Sequence, residues 1–270
     1  MNSQTTVAAN EILQFMQDRR QAMLDLLRTM AESESPSDVP AAQAGITAII
    51  VAALEQRGLT VERIPGKNSG GMIHAVAEGR PGAPSQLILG HYDTVWPIGT
   101  LESMPFRQDG DTVHGPGVYD MKGGVAQAML AFDALNHFGL ECEVTPHVFL
   151  NSDEEIGSRE SRPWIEKLAP EMDRVFVLEP SLGPAGQLKT ARKGIGRYTV
   201  TVSGEAAHAG LDPGAGASAI LEFSHVFQDL FALNDVERGS AVQVGSSDGG
   251  GGRCGVAAVG QGGGGVGVGA

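Results

Sequence analysis

Four short polar strings carry the side chains best suited to metal or acid-base chemistry. Gly90-His91-Tyr92-Asp93-Thr94-Val95 follows the apolar run Leu87-Ile88-Leu89, and Asn151-Ser152-Asp153-Glu154-Glu155-Ile156-Gly157-Ser158 follows a run ending at Leu150. Glu179 follows Val175 to Leu178, and Asp120 sits in Gly115-Pro116-Gly117-Val118-Tyr119-Asp120-Met121-Lys122-Gly123-Gly124. His91 can offer one ring nitrogen to a metal and the other to Asp93, the carboxylate partner that fixes tautomer and ring orientation in metal-binding histidines. Taken singly, each string has a plainer explanation: a solvated turn for His-x-Asp, a solvated loop for three adjacent acids, a helix N-cap for Asp120. Their coincidence at the ends of core strands, where open α/β sheets place their sites, favours chemistry. Zinc accepts nitrogen and oxygen donors, and two ions about 3.5–4 Å apart can share one carboxylate, so one histidine with several acids suits such a centre.

The elements that must hold these strings alternate between helical and strand spacing. Leu13, Met16, Met23, Leu27 and Met30 predict one amphipathic helix over residues 10–32, broken by Ser33 to Pro36. A second helix is predicted over 38–57, with Gly58 as its stop. Strands are expected at 59–64, 72–77, 87–89, 144–150 and 175–178, and helices at 121–138 and 163–168. This alternation implies an α/β fold, a mostly parallel mixed sheet flanked by helices. From about Lys189 the character changes: 197–202 reads as a strand and 217–233 as a helix. A catalytic, metal-binding domain is therefore expected over 1–187 and a smaller, partial α+β lid or dimerisation domain over 188–244.

Composition narrows the partners. A net charge of −13 and a pI near 4.9 argue against nucleic acid and anionic membranes. No apolar stretch is long enough for a membrane span, and the first residues lack a basic segment followed by an apolar one, so a cytoplasmic protein is expected. Cys142 and Cys254 are the two cysteines, which leaves no disulfide framework or cysteine-based zinc site to draw. Of the 26 residues from Gly245 to Ala270, 13 are glycine. Such a tract is expected to be disordered, either as a flexible linker or as the product of out-of-frame translation.

In order and spacing, His-x-Asp-x-Val, Gly-x-Gly-x-x-Asp-Met-Lys-Gly-Gly and Asp-Glu-Glu-x-Gly-Ser resemble the co-catalytic zinc metallopeptidase family that includes glutamate carboxypeptidase, aminoacylase, acetylornithine deacetylase and succinyl-diaminopimelate desuccinylase. The strings Lys193-Gly194-Ile195-Gly196-Arg197-Tyr198 and Ala207-His208-Ala209-Gly210 most resemble the glutamate carboxypeptidase branch. The resemblance implies a metal-dependent hydrolase that cleaves a C-terminal, glutamate-type peptide bond or an N-acyl amino-acid amide by metal-activated water. It implies two zinc ions, with Asp120 bridging, His91 and Glu179 on one ion and Glu155 on the other. Glu154 becomes the general base, Asp93 orients His91, and His208 steadies the oxyanion from the lid, across a homodimer. Arg192 and Lys193 read either as groups that attract an acidic substrate bearing a free carboxylate or as exposed basic side chains at a domain junction.

The family pattern implies more chain than stands here: a completed lid and a further histidine for the second ion. After His208 the remaining histidine is His225, within the predicted lid helix, and it does not match that ligand. The resemblance therefore implies an impaired second site and reduced stability in a truncated chain. A non-catalytic metal-binding or dimerising fragment is the alternative, as is an N-acyl amino-acid deacylase acting on a small metabolite.

Overall fold

A computed structural model describes residues 9–79, 82–140, 142–183, 185–189, 194–208, 210–249 and 259–268. The chain divides into two compact units, Met1–Pro180 and Ser181–Ala270. That division falls a few residues before the 187/188 boundary read from the sequence.

The first unit runs α1 (Ala9–Asp18), α2 (Arg20–Ala31), α3 (Ala44–Glu55), β1 (Thr60–Ile64), β2 (Met72–Val76), β3 (Ser85–His91), α4 (Thr100–Ser103), β4 (Arg107–Asp109), β5 (Thr112–His114), α5 (Gly123–Phe138), β6 (Thr145–Asn151), α6 (Arg162–Leu168) and β7 (Arg174–Val177). Its main sheet has the order β1-β2-β6-β3-β7. β3 pairs in parallel with both β6 and β7, whereas β2 is antiparallel to β1 and β6. Four of the five strands thus point the same way, and β2 alone is reversed.

The central strands β2, β6 and β3 are covered on both faces, which is why they read as apolar runs, whereas the edge strands β1 and β7 are largely exposed. Leu27 and Met30 of α2, Ile46, Ile50 and Leu54 of α3, and Val125, Met129 and Phe132 of α5 pack with Ile73, Val148 and Leu150 on one side. On the other side Leu87 and Phe149 meet Trp164, Ile165 and Leu168 of α6. A fully buried side chain of this kind contributes about 1.5–3 kcal/mol, so this core fixes where the strand ends lie. The register pairs His91 with Asn151 and Leu89 with Val177, which brings the polar strings after β3, β6 and β7 to one edge of the sheet.

Three local readings change. The first helix is kinked: Arg19 has φ −96° and ψ 5°, although Arg19 N still donates to Phe15 O and Met23 N to Arg19 O. Phe15 stacks on His137 at 4.5 Å near the end of α5 while α2 buries Leu24, Leu27 and Met30, so the two halves follow different surfaces. The second helix begins as a 3₁₀ turn at Pro40–Gln43 and becomes α-helical from Ala44, with Gly58 at φ 84° beyond its end. Before α5, Asp120 has φ −121° and ψ 103°, and the Asp120–Met121 peptide is cis. The N-cap position of α5 is held by Lys122, so Asp120 is not its N-cap.

The second unit contains β8 (Gly194–Ser203), α7 (Ala219–Ala232), β9 (Ala241–Gly249) and β10 (Val259–Val268). Ser218 caps α7 by accepting from Leu221 N, and Ala219 and Phe223 are buried. β10 pairs antiparallel with β8 on one side and β9 on the other. Residues 245–249 and 259–268 are thus extended strand rather than the disorder expected from their glycine content. A central strand is held by backbone N–H and C=O groups paired on both edges, which glycine supplies as well as any residue. The rest of the tail, including Cys254, lies outside the described residues. Among the described residues no helix is long and apolar enough to cross a membrane.

Candidate metal centre

His91 ends β3 with its side chain 1% exposed, and both ring nitrogens face carboxylates. Nδ1 lies 3.1 Å from the Asp93 backbone oxygen and 3.2 Å from Asp93 Oδ1. Nε2 lies 3.1 Å from Asp120 Oδ1, 3.6 Å from Glu179 Oε1 and 3.9 Å from Glu154 Oε2. Donor atoms of His91, Asp120 and Glu179 all fall within 4.8 Å of one another. Asp120 and Glu154 keep about half of their side-chain surface open, while His91 forms the floor.

The electrostatics are those of crowded acids around one base. Burial opposes the charged form of His91, but hydrogen bonds to Asp120 and Asp93 and the charges of Asp93 and Glu154 outweigh it, raising its pKa to about 10. Glu155 is pushed up to about 7 by burial and, against the pull of His91, by the charges of Asp120, Glu154 and Asp93. Glu179 is also raised, by burial and then by Asp120. Carboxylates forced together at such cost fit a cation among them, and the imidazole and carboxylate set fits zinc or a similar divalent ion.

The three successive acids after β6 have different surroundings. Asp153 is buried and accepts from Glu160 N, Ser161 N and Asn151 Nδ2, so it closes its own loop. Glu154 and Glu155 point their backbone N–H groups at the Asp93 carboxylate, at 3.3 and 3.2 Å. Their side chains join the acidic group around His91.

Several supports were not evident from sequence. Gln43, fully buried, donates to Pro36 O and Ser152 O and accepts from Gly70 N, tying three loops under the site. Lys122 is fully buried and donates to Met30 O at 3.1 Å and Ser33 O at 3.2 Å; burial lowers its pKa to about 7, against the pull of Asp93 and Glu34. Gly117, at φ 67°, lets the chain pass where a Cβ would meet Thr94 Cγ2 at 2.6 Å. The glycine string was a legible signal of that close approach; the contacts of Gln43 and Lys122 span 7 to 109 residues and had none.

In the second unit His208 is exposed, and its Nδ1 accepts from Gly210 N and Leu211 N. The neutral ring therefore carries its proton on Nε2, which can donate. Arg192 and Lys193 lie outside the described residues. Cys142 is partly buried, and that burial raises its thiol pKa.

A family model described as Peptidase family M20/M25/M40 matches residues 87–250. Carboxypeptidase G2 of Pseudomonas sp. (strain RS-16) is 32% identical over 232 residues, covering 84% of this chain and 55% of that protein. Succinyl-diaminopimelate desuccinylase of Xylella fastidiosa (strain M12) is 31% identical over 190 residues, covering 64% and 48% respectively. The chain thus spans about half the length of the curated relatives it matches. Among solved structures, the di-peptidase Dug1p of Saccharomyces cerevisiae superposes with a TM-score of 0.73 at 15% identity, over 96% of this chain and 72% of that one, and shares the fold.

Proposed function

The chain belongs to peptidase family M20/M25/M40, and on that premise we propose that it carries the catalytic portion of a metal-dependent hydrolase acting on a C-terminal, glutamate-type peptide or N-acyl amino-acid amide bond. The observation that carries this reading is the convergence of Asp120, Glu154 and Glu179 within 4 Å of His91 Nε2, with Asp93 behind the ring. His91, Asp120 and Glu179 would hold one zinc ion, and Asp120 with Glu155 a second.

Bound divalent ions supply Lewis acidity, polarising the scissile carbonyl and making water acidic near neutral pH. Glu154 takes a proton from the attacking water and delivers it to the leaving nitrogen. Its partly open carboxylate suits that movement, since a general base must reach both reacting atoms. Asp93 keeps the His91 Nδ1 proton in place, so Nε2 presents a lone pair. His208, with its proton on Nε2, would donate to the oxyanion from the lid formed by the second unit. That unit would also mediate a homodimer, as an edge strand such as β8 suits pairing between copies.

The specificity proposed follows the glutamate-carboxypeptidase strings and the relative named carboxypeptidase G2. Relatives named for desuccinylation and deacetylation support the alternative, a small N-acyl amino acid as substrate. The test is release of glutamate from an N-acyl-glutamate by the zinc-loaded chain, set against release of the acyl group from N-succinyl and N-acetyl amino acids. Glu154→Gln should abolish turnover with metal content unchanged. Turnover that survives this change would remove Glu154 from the mechanism. Zinc binding without any turnover would assign the chain as the metal-binding fragment alone.

A further inference from the structure

The Asp93 carboxylate is completely buried, so its acceptor positions must be met by protein. Oδ1 faces His91 Nδ1 at 3.2 Å and Glu154 N at 3.3 Å. Oδ2 receives Glu155 N at 3.2 Å and the Ser37 hydroxyl at 2.6 Å. A carboxylate has about four lone-pair positions; three receive hydrogen bonds, and His91 Nδ1, which also lies 3.1 Å from the Asp93 backbone oxygen, stands against the fourth. Three of the donors belong to the candidate metal centre itself. The fourth comes from a segment 56 residues away that has no other part in the chemistry.

That segment is fastened along its length. Ser37 N donates to Thr94 O, Thr94 N to Ser35 O, and the Ser35 hydroxyl to Tyr92 O at 2.7 Å. Lys122 holds Ser33 O and Gln43 holds Pro36 O. Ser37 Oγ also lies 3.2 Å from Thr94 O, but one hydroxyl has one proton, and the shorter contact to a charged acceptor takes it. The two serines therefore differ in kind. Ser35 touches only backbone, whereas Ser37 touches the carboxylate that sets both the His91 ring and the Glu154–Glu155 backbone.

We propose that Ser37 is a positioning residue of the metal centre: its hydroxyl fixes the rotation of the Asp93 carboxylate, and through it the aim of His91 Nε2 and the placement of Glu154 and Glu155. The proposal rests on the metal reading given above. Without the hydroxyl, Oδ2 keeps one donor, and the carboxylate turns to balance the three that remain. Partners that orient metal-binding histidines are worth about 10- to 100-fold in metal affinity.

The test compares Ser37→Ala with Ser35→Ala, both buried serines of one segment, in the full chain. Zinc affinity is measured by competition with a chromophoric chelator, His91 geometry by the visible spectrum of the cobalt form, and folding by thermal unfolding. Ser37→Ala should weaken zinc about tenfold or more and alter the cobalt spectrum. Ser35→Ala should lower thermal stability and leave both metal readouts unchanged. Ser37→Thr should restore affinity, and Ser37→Cys, a weaker donor that preserves the volume, gives the comparison should Ser37→Ala not fold. Unchanged zinc affinity in Ser37→Ala, or equal losses in the two alanine variants, overturns the proposal alone. An unaltered chain that binds no zinc overturns the metal reading and this inference with it.

Discussion

Replacing Asp93 by asparagine removes one charge and few atoms, yet it should be among the most damaging changes in the first unit. Four donors point at this fully buried carboxylate: the Ser37 hydroxyl, His91 Nδ1, and the N–H groups of Glu154 and Glu155. An amide keeps one oxygen and puts an NH₂ group where the other stood, so the Glu154 or the Glu155 N–H would face a donor, whereas the Ser37 hydroxyl can turn to Thr94 O and His91 Nδ1 to the Asp93 backbone oxygen. A buried donor left without a partner costs about 1–3 kcal/mol. For a domain whose total stability is about 5–15 kcal/mol, that is a large fraction. His91 would lose the carboxylate beside Nδ1, and zinc affinity should fall about 10- to 100-fold. Urea unfolding followed by circular dichroism reads the first quantity, and chelator competition the second. A stability loss below about 1 kcal/mol together with unchanged zinc affinity would refute the reasoning, because the buried contacts could not then be as described.

The remaining predictions concern backbone and charge. Gly58→Ala should cost about 1–2 kcal/mol for its left-handed φ of 84°, since nothing lies within 4 Å of the added Cβ. Gly117→Ala should cost more and also weaken metal binding, because its Cβ would stand 2.6 Å from Thr94 Cγ2 beside Asp93; equal losses by thermal unfolding would contradict this. In the metal-free chain His91 and Glu155 both titrate above their ordinary values, so each contributes stability that is full at low pH and lost on raising it. The losses fall between pH 4.5 and about 7 for Glu155 and between 6.5 and about 10 for His91. Lys122 has the opposite sign, since its depressed pKa adds stability between about 7 and 10.5. The stability of Lys122→Met should therefore fall more steeply above pH 7 than that of the unaltered chain, and parallel profiles would rule out a depressed Lys122.

The sequence showed clearly what depends on local pattern. Apolar runs at Leu87 to Leu89, Val144 to Leu150 and Val175 to Leu178 became β3, β6 and β7; the first two are central strands covered on both faces, which must be apolar throughout, whereas β7 is an exposed edge strand. The polar strings after them met at one sheet edge because parallel strands in register end together. What depends on distant partners was not legible. Nothing in Asp153-Glu154-Glu155 says that the first acid serves its own loop and the other two turn toward Asp93. Ser37 falls between the Ser33 to Pro36 break and the helix expected from residue 38 and carried no signal, since its partner lies 56 residues on. The kink at Arg19 arises from packing against α5 rather than from a breaker residue. The strand at Val259–Val268 was missed because composition weighs side chains, whereas a central strand is held by its backbone.

The central claim is a divalent ion held by His91, Asp120 and Glu179, which come from three separate segments of the first unit. Zinc-edge X-ray absorption on the zinc-loaded full chain tests it most directly. The account predicts nitrogen and oxygen ligands only, with imidazole scattering that disappears in His91→Gln. Failure to bind zinc, sulfur in the coordination shell, or imidazole scattering that persists in His91→Gln would contradict it.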